Sequence, residues 1–112
     1  MILPKIKFIT IENLLEMKTN NAKFKLVDVL AQEEFKEGHI PGAINLPLDK
    51  LQTSAKTHLK KNDKIVVYCA SYVCQASTKA ARALQKMGYK KILDYKAGKK
   101  GWLHTGLELE KR

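Results

Sequence analysis

The 112-residue sequence has few cysteines, few arginines and no long apolar run, and each shortage excludes a class of protein. Its two cysteines, Cys69 and Cys74, are too few to cross-link a small secreted scaffold. They also lack the second ligand pair that a structural zinc site requires, so we expect no metal centre. The longest apolar runs, such as residues 65–68, are far shorter than the roughly 18–20 residues that cross a bilayer.

The N-terminal segment 1–7 has no apolar stretch of the kind that a secretory signal peptide contains. Two cysteines without a scaffold are typical of proteins whose thiols stay reduced. We therefore expect a cytoplasmic protein that does not act at a membrane.

Positive charge is in excess, because 21 Lys and Arg residues face 11 Asp and Glu residues, for a formal net charge of +10. Only Arg82 and Arg112 are arginines, the residue type whose planar fork reads bases and phosphates. No nucleic-acid-binding motif accompanies the charge. We therefore expect a lysine-rich surface that attracts small anions and does not bind nucleic acid. The lysines are densest over residues 86–100, where Asp94 is the one acid.

Apolar runs alternate with helical patterns along the chain, which predicts an α/β fold. Strands are predicted at 5–9, 24–29, 44–46, 65–69 and 91–95. Helices are predicted after a Thr10 cap, over 31–36 before Gly38, over 49–59, and over 78–87 where Ser77 opens the helix and Gly88 ends it. This order predicts a central, mostly parallel five-stranded sheet with helices on both faces. The length fits a single domain over residues 1–112.

Cys69 ends the most apolar predicted strand and is followed by a loop and a helix. In parallel sheets, sites form beyond the carboxyl ends of the strands. A helix N-terminus stabilises an anion such as a thiolate, so this order predicts a lowered Cys69 pKa and a nucleophilic sulfur. A buried structural cysteine explains the same local pattern equally well.

Several further motifs occur in a fixed order along nearly the whole chain. They are Asp-Val at 28–29, Glu-Phe at 34–35, Gly-His-Ile-Pro-Gly-Ala at 38–43, Asn-Leu-Pro at 45–47, Val-Tyr-Cys at 67–69, Ser-Thr-Lys-Ala-Ala at 77–81, Gly98 and Trp102. Together they resemble the rhodanese-like domain, the single-domain form of the rhodanese sulfurtransferase family. The Gly-His-Ile-Pro-Gly-Ala to Asn-Leu-Pro stretch is the most specific part of this resemblance.

The resemblance implies an enzyme of the rhodanese type, in which the Cys69 thiolate takes a sulfane sulfur from thiosulfate or a polysulfide. The Cys69 persulfide would then pass that sulfur to a thiol or to cyanide, without a cofactor. The loop after Cys69 would bind the persulfide and the leaving anion through its backbone N–H groups. The residues of this predicted anion-binding loop are Ala70, Ser71, Tyr72, Val73, Cys74, Gln75, Ala76 and Ser77.

The implied partners are a small anionic sulfur donor and a thiol acceptor, which includes a protein thiol, and the chain would act as a monomer or a homodimer. Two other interpretations stay open. The domain could carry a persulfide or bind a partner without catalysis, or it could be a thiol–disulfide redox protein that uses Cys69 and Cys74.

The loop departs from the family pattern, which places Arg five residues and Ser six residues after the cysteine. Cys74 and Gln75 stand there, so the loop is two residues longer and lacks the arginine that would hold a donor's sulfonate. A phosphatase is disfavoured, because it needs Arg at the position of Gln75.

Cys74 has two interpretations. It is a loop residue packed inward, or it is a resolving thiol that attacks the Cys69 persulfide, releases sulfide and leaves a disulfide. The disulfide requires that the two Cα atoms approach within roughly 7 Å. As supporting residues, we expect Asp28 to hydrogen-bond a loop or turn backbone, and His39 to be structural rather than a general base.

Overall fold

The computed structural model describes residues 3–111, and a five-stranded parallel sheet lies at its centre. In chain order the elements are β1 (Lys7–Ile9), α1 (Ile11–Thr19), β2 (Lys25–Asp28), α2 (Gln32–Glu37), β3 (Ile44–Asn45), a 3₁₀ turn (Leu48–Lys50), α3 (Leu51–His58), β4 (Lys64–Tyr68), α4 (Ala76–Lys86), β5 (Lys91–Tyr95) and α5 (Gly98–His104). The strand order is β1-β5-β4-β2-β3, and each neighbouring pair is parallel. The predicted α/β fold with a parallel five-stranded sheet is therefore confirmed.

Helices cover both faces of the sheet. Successive side chains of each strand point to opposite sides, so the central strands present apolar side chains to both layers of helices. On one face, Val67 and Ile65 of β4 pack with Leu51 of α3 and Leu84 of α4. On the other face, Val66 and Tyr68 pack with Leu14 of α1 and Trp102 of α5. The central strand β4 is buried on both sides, which explains why its sequence is a continuous apolar run.

The N-terminal cap predicted for α1 is confirmed. The Thr10 side chain accepts a hydrogen bond from Asn13 N–H at 3.1 Å, and the Asn13 side chain accepts one from Thr10 N–H at 3.0 Å. These two bonds satisfy N–H groups that a helix start leaves unpaired.

The predicted start of α4 is wrong. The helix begins at Ala76 after Gln75, which makes no side-chain cap, so Ala76 and Ser77 belong to the helix rather than to the loop. Ser77 is fully buried in the first turn, so its hydroxyl is directed into the protein instead of capping the helix. The segment predicted to bind an anion is therefore a loop only over residues 70–75.

A short bridge outside the sheet joins the C-terminal segment to the Gly-His-Ile-Pro motif. The backbone N–H and C=O groups of His39 and Glu110 exchange two hydrogen bonds, each 2.8 Å long. Over residues 3–111, no helix combines the length and the apolar character needed to span a bilayer.

Candidate active site

Cys69 lies directly after β4, at the carboxyl end of the sheet, and no part of it is exposed. The first turn of α5 holds its backbone. Lys99 N–H donates to the Cys69 carbonyl at 3.1 Å, and Lys100 N–H donates to the Ala70 carbonyl at 2.9 Å. The start of the cysteine loop is therefore fixed by main-chain hydrogen bonds from a neighbouring element.

Gly98 makes this approach of α5 possible. Its φ of +62° lies in the left-handed region, and a Cβ at this position would stand 2.2 Å from the Cys69 carbonyl oxygen. No side chain fits there without moving the backbone of Cys69, so the glycine of the resembling motif serves to seat α5 against the cysteine.

Only part of the loop over residues 70–75 faces Cys69. A turn closes it where Cys74 N–H donates to the Ser71 carbonyl at 3.1 Å. Tyr72 and Val73 at its tip are 71% and 86% exposed. The Cys69 thiol donates a weak hydrogen bond of 3.5 Å to the Cys74 carbonyl oxygen, so a carbonyl of the loop faces this sulfur.

The start of α4 supplies the groups that favour negative charge on Cys69. The N–H and the hydroxyl of Ser77 both act to lower the Cys69 pKa. Ser77 Oγ is buried and has no hydrogen-bond partner within residues 3–111. A buried hydroxyl without a partner is uncommon in folded proteins. The Ser77 hydroxyl thus lies close enough to influence the charge on Cys69 without forming a hydrogen bond to any atom of the described residues.

The net effect on the Cys69 pKa is the opposite of the predicted one. Burial raises the pKa of the Cys69 thiol, and the neighbouring Cys74 thiol raises it further, against the smaller effect of Ser77. The prediction of a lowered pKa was wrong because the loop covers the sulfur and removes it from water, which disfavours the charged form.

The Cys74 thiol has the more acidic character of the two. Burial opposes its ionisation, but the Cys69 thiol, the N–H groups of Ala76 and Ala70, and the Lys96 ammonium together lower the Cys74 pKa. Both thiols are free in this structure, and Cys74 is only partly buried. The structure thus brings the two predicted sulfur residues together and gives them different acidities.

Lys96 reaches the site from the end of β5; the sequence predicted an anion-attracting lysine-rich stretch over residues 86–100 but not which of its lysines would lie at the cysteines. Its Nζ donates to the Cys74 carbonyl oxygen at 2.5 Å. The alternation of side chains along β5 contained a signal for this position, because it places Ile92, Asp94 and Lys96 on the face that α4 covers.

Asp28 and His39, the two predicted supporting residues, make their contacts outside the loop that follows Cys69. Asp28 pairs with Tyr68 in the sheet register and points to the face opposite Cys69, where its Oδ1 accepts a hydrogen bond from Leu30 N–H at 2.9 Å. Burial raises the Asp28 pKa, and the Leu30 hydrogen bond opposes this shift. His39 stacks on Phe35 at 3.8 Å between ring centroids, and its Nε2 lies 3.5 Å from Glu110 Oε1.

Tyr68 connects the Gly-His-Ile-Pro turn to β4, a link that the sequence reasoning missed. Its hydroxyl accepts a hydrogen bond from Ile40 N–H at 3.0 Å in the buried interior. As for metal ions, the described residues contain no group of three or more His, Cys, Asp or Glu side chains that could hold one.

The chain matches the family model of the rhodanese-like domain over residues 10–105, and it belongs to that family. Among solved structures, it resembles the BH2092 protein of Bacillus halodurans with a TM-score of 0.85 and 29% identity, over 94% of this chain and 77% of that one.

Two curated relatives have names that mention sulfur chemistry. The chain is 31% identical to the Bacillus subtilis protein named "Putative sulfur carrier protein YrkF", over 84% of this chain and 49% of YrkF. It is 36% identical to "Thiosulfate sulfurtransferase PspE" of Escherichia coli strain K12, over 56% of this chain and 60% of PspE. The chain thus spans about half of YrkF and less than two thirds of PspE.

Proposed function

We propose that this chain is one rhodanese-type domain that transfers sulfane sulfur through a persulfide on Cys69. The observation that carries the proposal is the position of Cys69 at the carboxyl end of β4, with the unpartnered Ser77 hydroxyl and the Ser77 N–H next to its sulfur. Family membership and the relatives named as a sulfurtransferase and a sulfur carrier support it. No cofactor takes part in the proposed reaction.

The proposed reaction has two displacement steps. The Cys69 thiolate attacks the outer sulfur of thiosulfate, the S–S bond of thiosulfate breaks, and sulfite leaves with the bonding electron pair. Cyanide then attacks the outer sulfur of the Cys69 persulfide, which yields thiocyanate and restores the thiolate. A thiolate acceptor reacts in the same way and becomes a persulfide itself. The Ser77 hydroxyl and N–H would stabilise the charge on the outer sulfur.

The proximity and acidity of Cys74 favour a second candidate function, a thiol–disulfide exchange at the same site. The Cys74 thiolate would attack the inner sulfur of the Cys69 persulfide, form a Cys69–Cys74 disulfide and expel hydrosulfide. A dithiol reductant would then be needed to restore the two thiols. Support comes from the Cys69 thiol, which acts directly on Cys74 and lowers its pKa.

The decisive experiment is intact-mass measurement after incubation with thiosulfate or polysulfide. We expect one added sulfur atom in the wild type and in Cys74→Ser, and none in Cys69→Ser. Thermal unfolding of the three proteins is the control for folding. Failure of the wild type to gain sulfur, or retention of the adduct in Cys69→Ser, would contradict the proposal. Loss of two hydrogen atoms in the wild type only would favour the exchange reaction.

A further inference from the structure

The loop next to Cys69 contains no cationic side chain, although the donors proposed above are anions. Residues 70–75 read Ala-Ser-Tyr-Val-Cys-Gln, so the loop itself supplies no positive charge to a sulfonate or to a leaving sulfite. A cation that serves the site has to come from another element. The residues that follow β5 can supply such a cation, because they lie next to Cys69 in the sheet.

Lys96 occupies that position because of the register between β4 and β5. Tyr68 and Tyr95 are partners in the parallel sheet, so Cys69 and Lys96 are the next residues of two adjacent strands. Tyr68 and Tyr95 both pack on the face of α1 and α5. Their successors therefore point to the opposite face, where α4 begins. The sheet itself thus places a lysine beside the cysteine.

Hydrogen bonds to the Cys74 carbonyl oxygen bring the Lys96 ammonium close to the Cys69 thiol. This oxygen accepts Lys96 Nζ at 2.5 Å and the Cys69 thiol at 3.5 Å. Because both contacts end on one atom, the ammonium lies within about 6 Å of the Cys69 sulfur. Its charge also acts on the adjacent Cys74 thiol, whose pKa it helps to lower.

The Lys96 ammonium retains hydrogen-bonding capacity. An ammonium has three N–H donors, and the hydrogen bond from Lys96 to the Cys74 carbonyl oxygen uses one of them. Within residues 3–111, no carboxylate oxygen lies within 4.0 Å of the Lys96 ammonium. Lys99, a second lysine near this end, directs its Nζ to the Glu34 carbonyl at 2.8 Å instead.

We propose that Lys96 binds the anionic end of the sulfur donor and thereby selects donors with an anionic leaving group, a role that rests on the sulfur transfer proposed above. When Cys69 attacks thiosulfate, the electron pair of the broken S–S bond moves onto the departing sulfite. The Lys96 ammonium stabilises that charge as it develops. A lysine is a mobile point charge and not a planar fork, so it suits a linear polysulfide as well as a tetrahedral sulfonate.

The test compares Lys96→Gln with Lys90→Gln, which removes one charge from an exposed lysine at the other end of β5. Two measurements are made on each protein. One is the KM for thiosulfate with cyanide as acceptor. The other is the alkylation of each cysteine by anionic iodoacetate and by neutral iodoacetamide, with the modified residue identified by mass.

We expect Lys96→Gln to raise the KM for thiosulfate and to lower the iodoacetate-to-iodoacetamide rate ratio, each by about tenfold, which is the usual effect of one charge-assisted hydrogen bond. Lys90→Gln should leave both values within about twofold of the wild type, because its charge is screened at that distance. Lys96→Arg keeps the charge and should recover most of the ratio.

Two results would overturn the proposal. In one, the ratio and the KM are unchanged in Lys96→Gln. In the other, both reagents slow equally, which means that Lys96 only holds the loop. A wild type that transfers no sulfur but prefers iodoacetate through Lys96 would support the anion contact and contradict the sulfur-transfer function. If the wild type transfers sulfur and Lys96→Gln leaves the KM for thiosulfate unchanged, the sulfur-transfer function is supported and the role of Lys96 is contradicted.

Discussion

The two ends of the parallel sheet both have lysines, but they differ in how their polar groups are held. At the carboxyl end, main-chain hydrogen bonds from Lys99 and Lys100 fix the backbone around Cys69. At the amino end, a cavity of about 690 Å³ opens beside β1, β4 and β5, and its polar lining consists mostly of lysines. These lysines are Lys5, Lys7, Lys64, Lys90 and Lys91.

The end at which we propose sulfur transfer is therefore not the end with the larger lysine-lined cavity. The residues that line the amino-end cavity include no thiol and no carboxylate, and its lysines are long, exposed side chains. Reactivity requires groups at fixed positions, because a loosely held group loses the benefit of orientation. The carboxyl end has such groups in Cys69, Ser77 and the tethered Lys96.

The largest predicted effect tests how the carboxyl end is fixed. In Gly98→Ala, the new Cβ would stand 2.2 Å from the Cys69 carbonyl oxygen at a φ of +62°. We expect a loss of about 3 kcal/mol in the free energy of unfolding, from left-handed strain and from displacement of α5. Urea denaturation measures this loss, and sulfur loading of Cys69 should fall with it.

Gly106→Ala is the matched control, because Gly106 has a similar φ of +86° but open space around its Cβ position. We expect this variant to lose only about 1 kcal/mol, the cost of left-handed strain alone. Equal losses in the two alanine variants would show that contact with Cys69 contributes nothing, and would remove the distinction between the two ends.

The effect of intermediate size is the pH dependence of thiol reactivity at the carboxyl end of the sheet. Because burial raises the Cys69 pKa, the thiol remains protonated at neutral pH and its thiolate fraction increases as the pH rises. We expect the rate of Cys69 alkylation by iodoacetamide to rise about tenfold per pH unit between pH 7 and 9. The Cys74 rate should level off at lower pH, since its pKa is lowered. A plateau for Cys69 near pH 7 would contradict this assignment.

The smallest effect belongs to the amino end. Lys64 and Lys91 are direct partners in the register of β4 and β5, so two like charges stand opposite one another. We expect Lys91→Gln to increase the free energy of unfolding by a few tenths of a kcal/mol and to leave sulfur transfer unchanged. The gain should diminish in high salt, which screens exposed charges. A clear loss of sulfur transfer would show that the two ends are coupled.

The sequence was sufficient for the fold, because apolar runs, β-branched residues and the Gly-His-Ile-Pro motif are local signals. It placed Cys69 at a strand end correctly for the same reason. It did not predict the raised Cys69 pKa, because the covering of the sulfur by its own loop is a tertiary effect. It misplaced the start of α4, since Ser77 has a typical capping side chain that is buried here. The position of Lys96 depends on the β4–β5 register, which one strand's sequence does not contain.

The strand order has a consequence for the time course of folding during synthesis. Among the described strands, β1 pairs with β5 alone, so Lys7 cannot meet its partner Leu93 until more than 80 intervening residues have been synthesised. At a usual elongation rate this wait is roughly 4–17 s. During that time β1 is an unpaired edge, but it is three residues long and begins with a charged lysine, features that discourage pairing with other nascent chains. The sheet of this domain is therefore completed only after β5 has been synthesised.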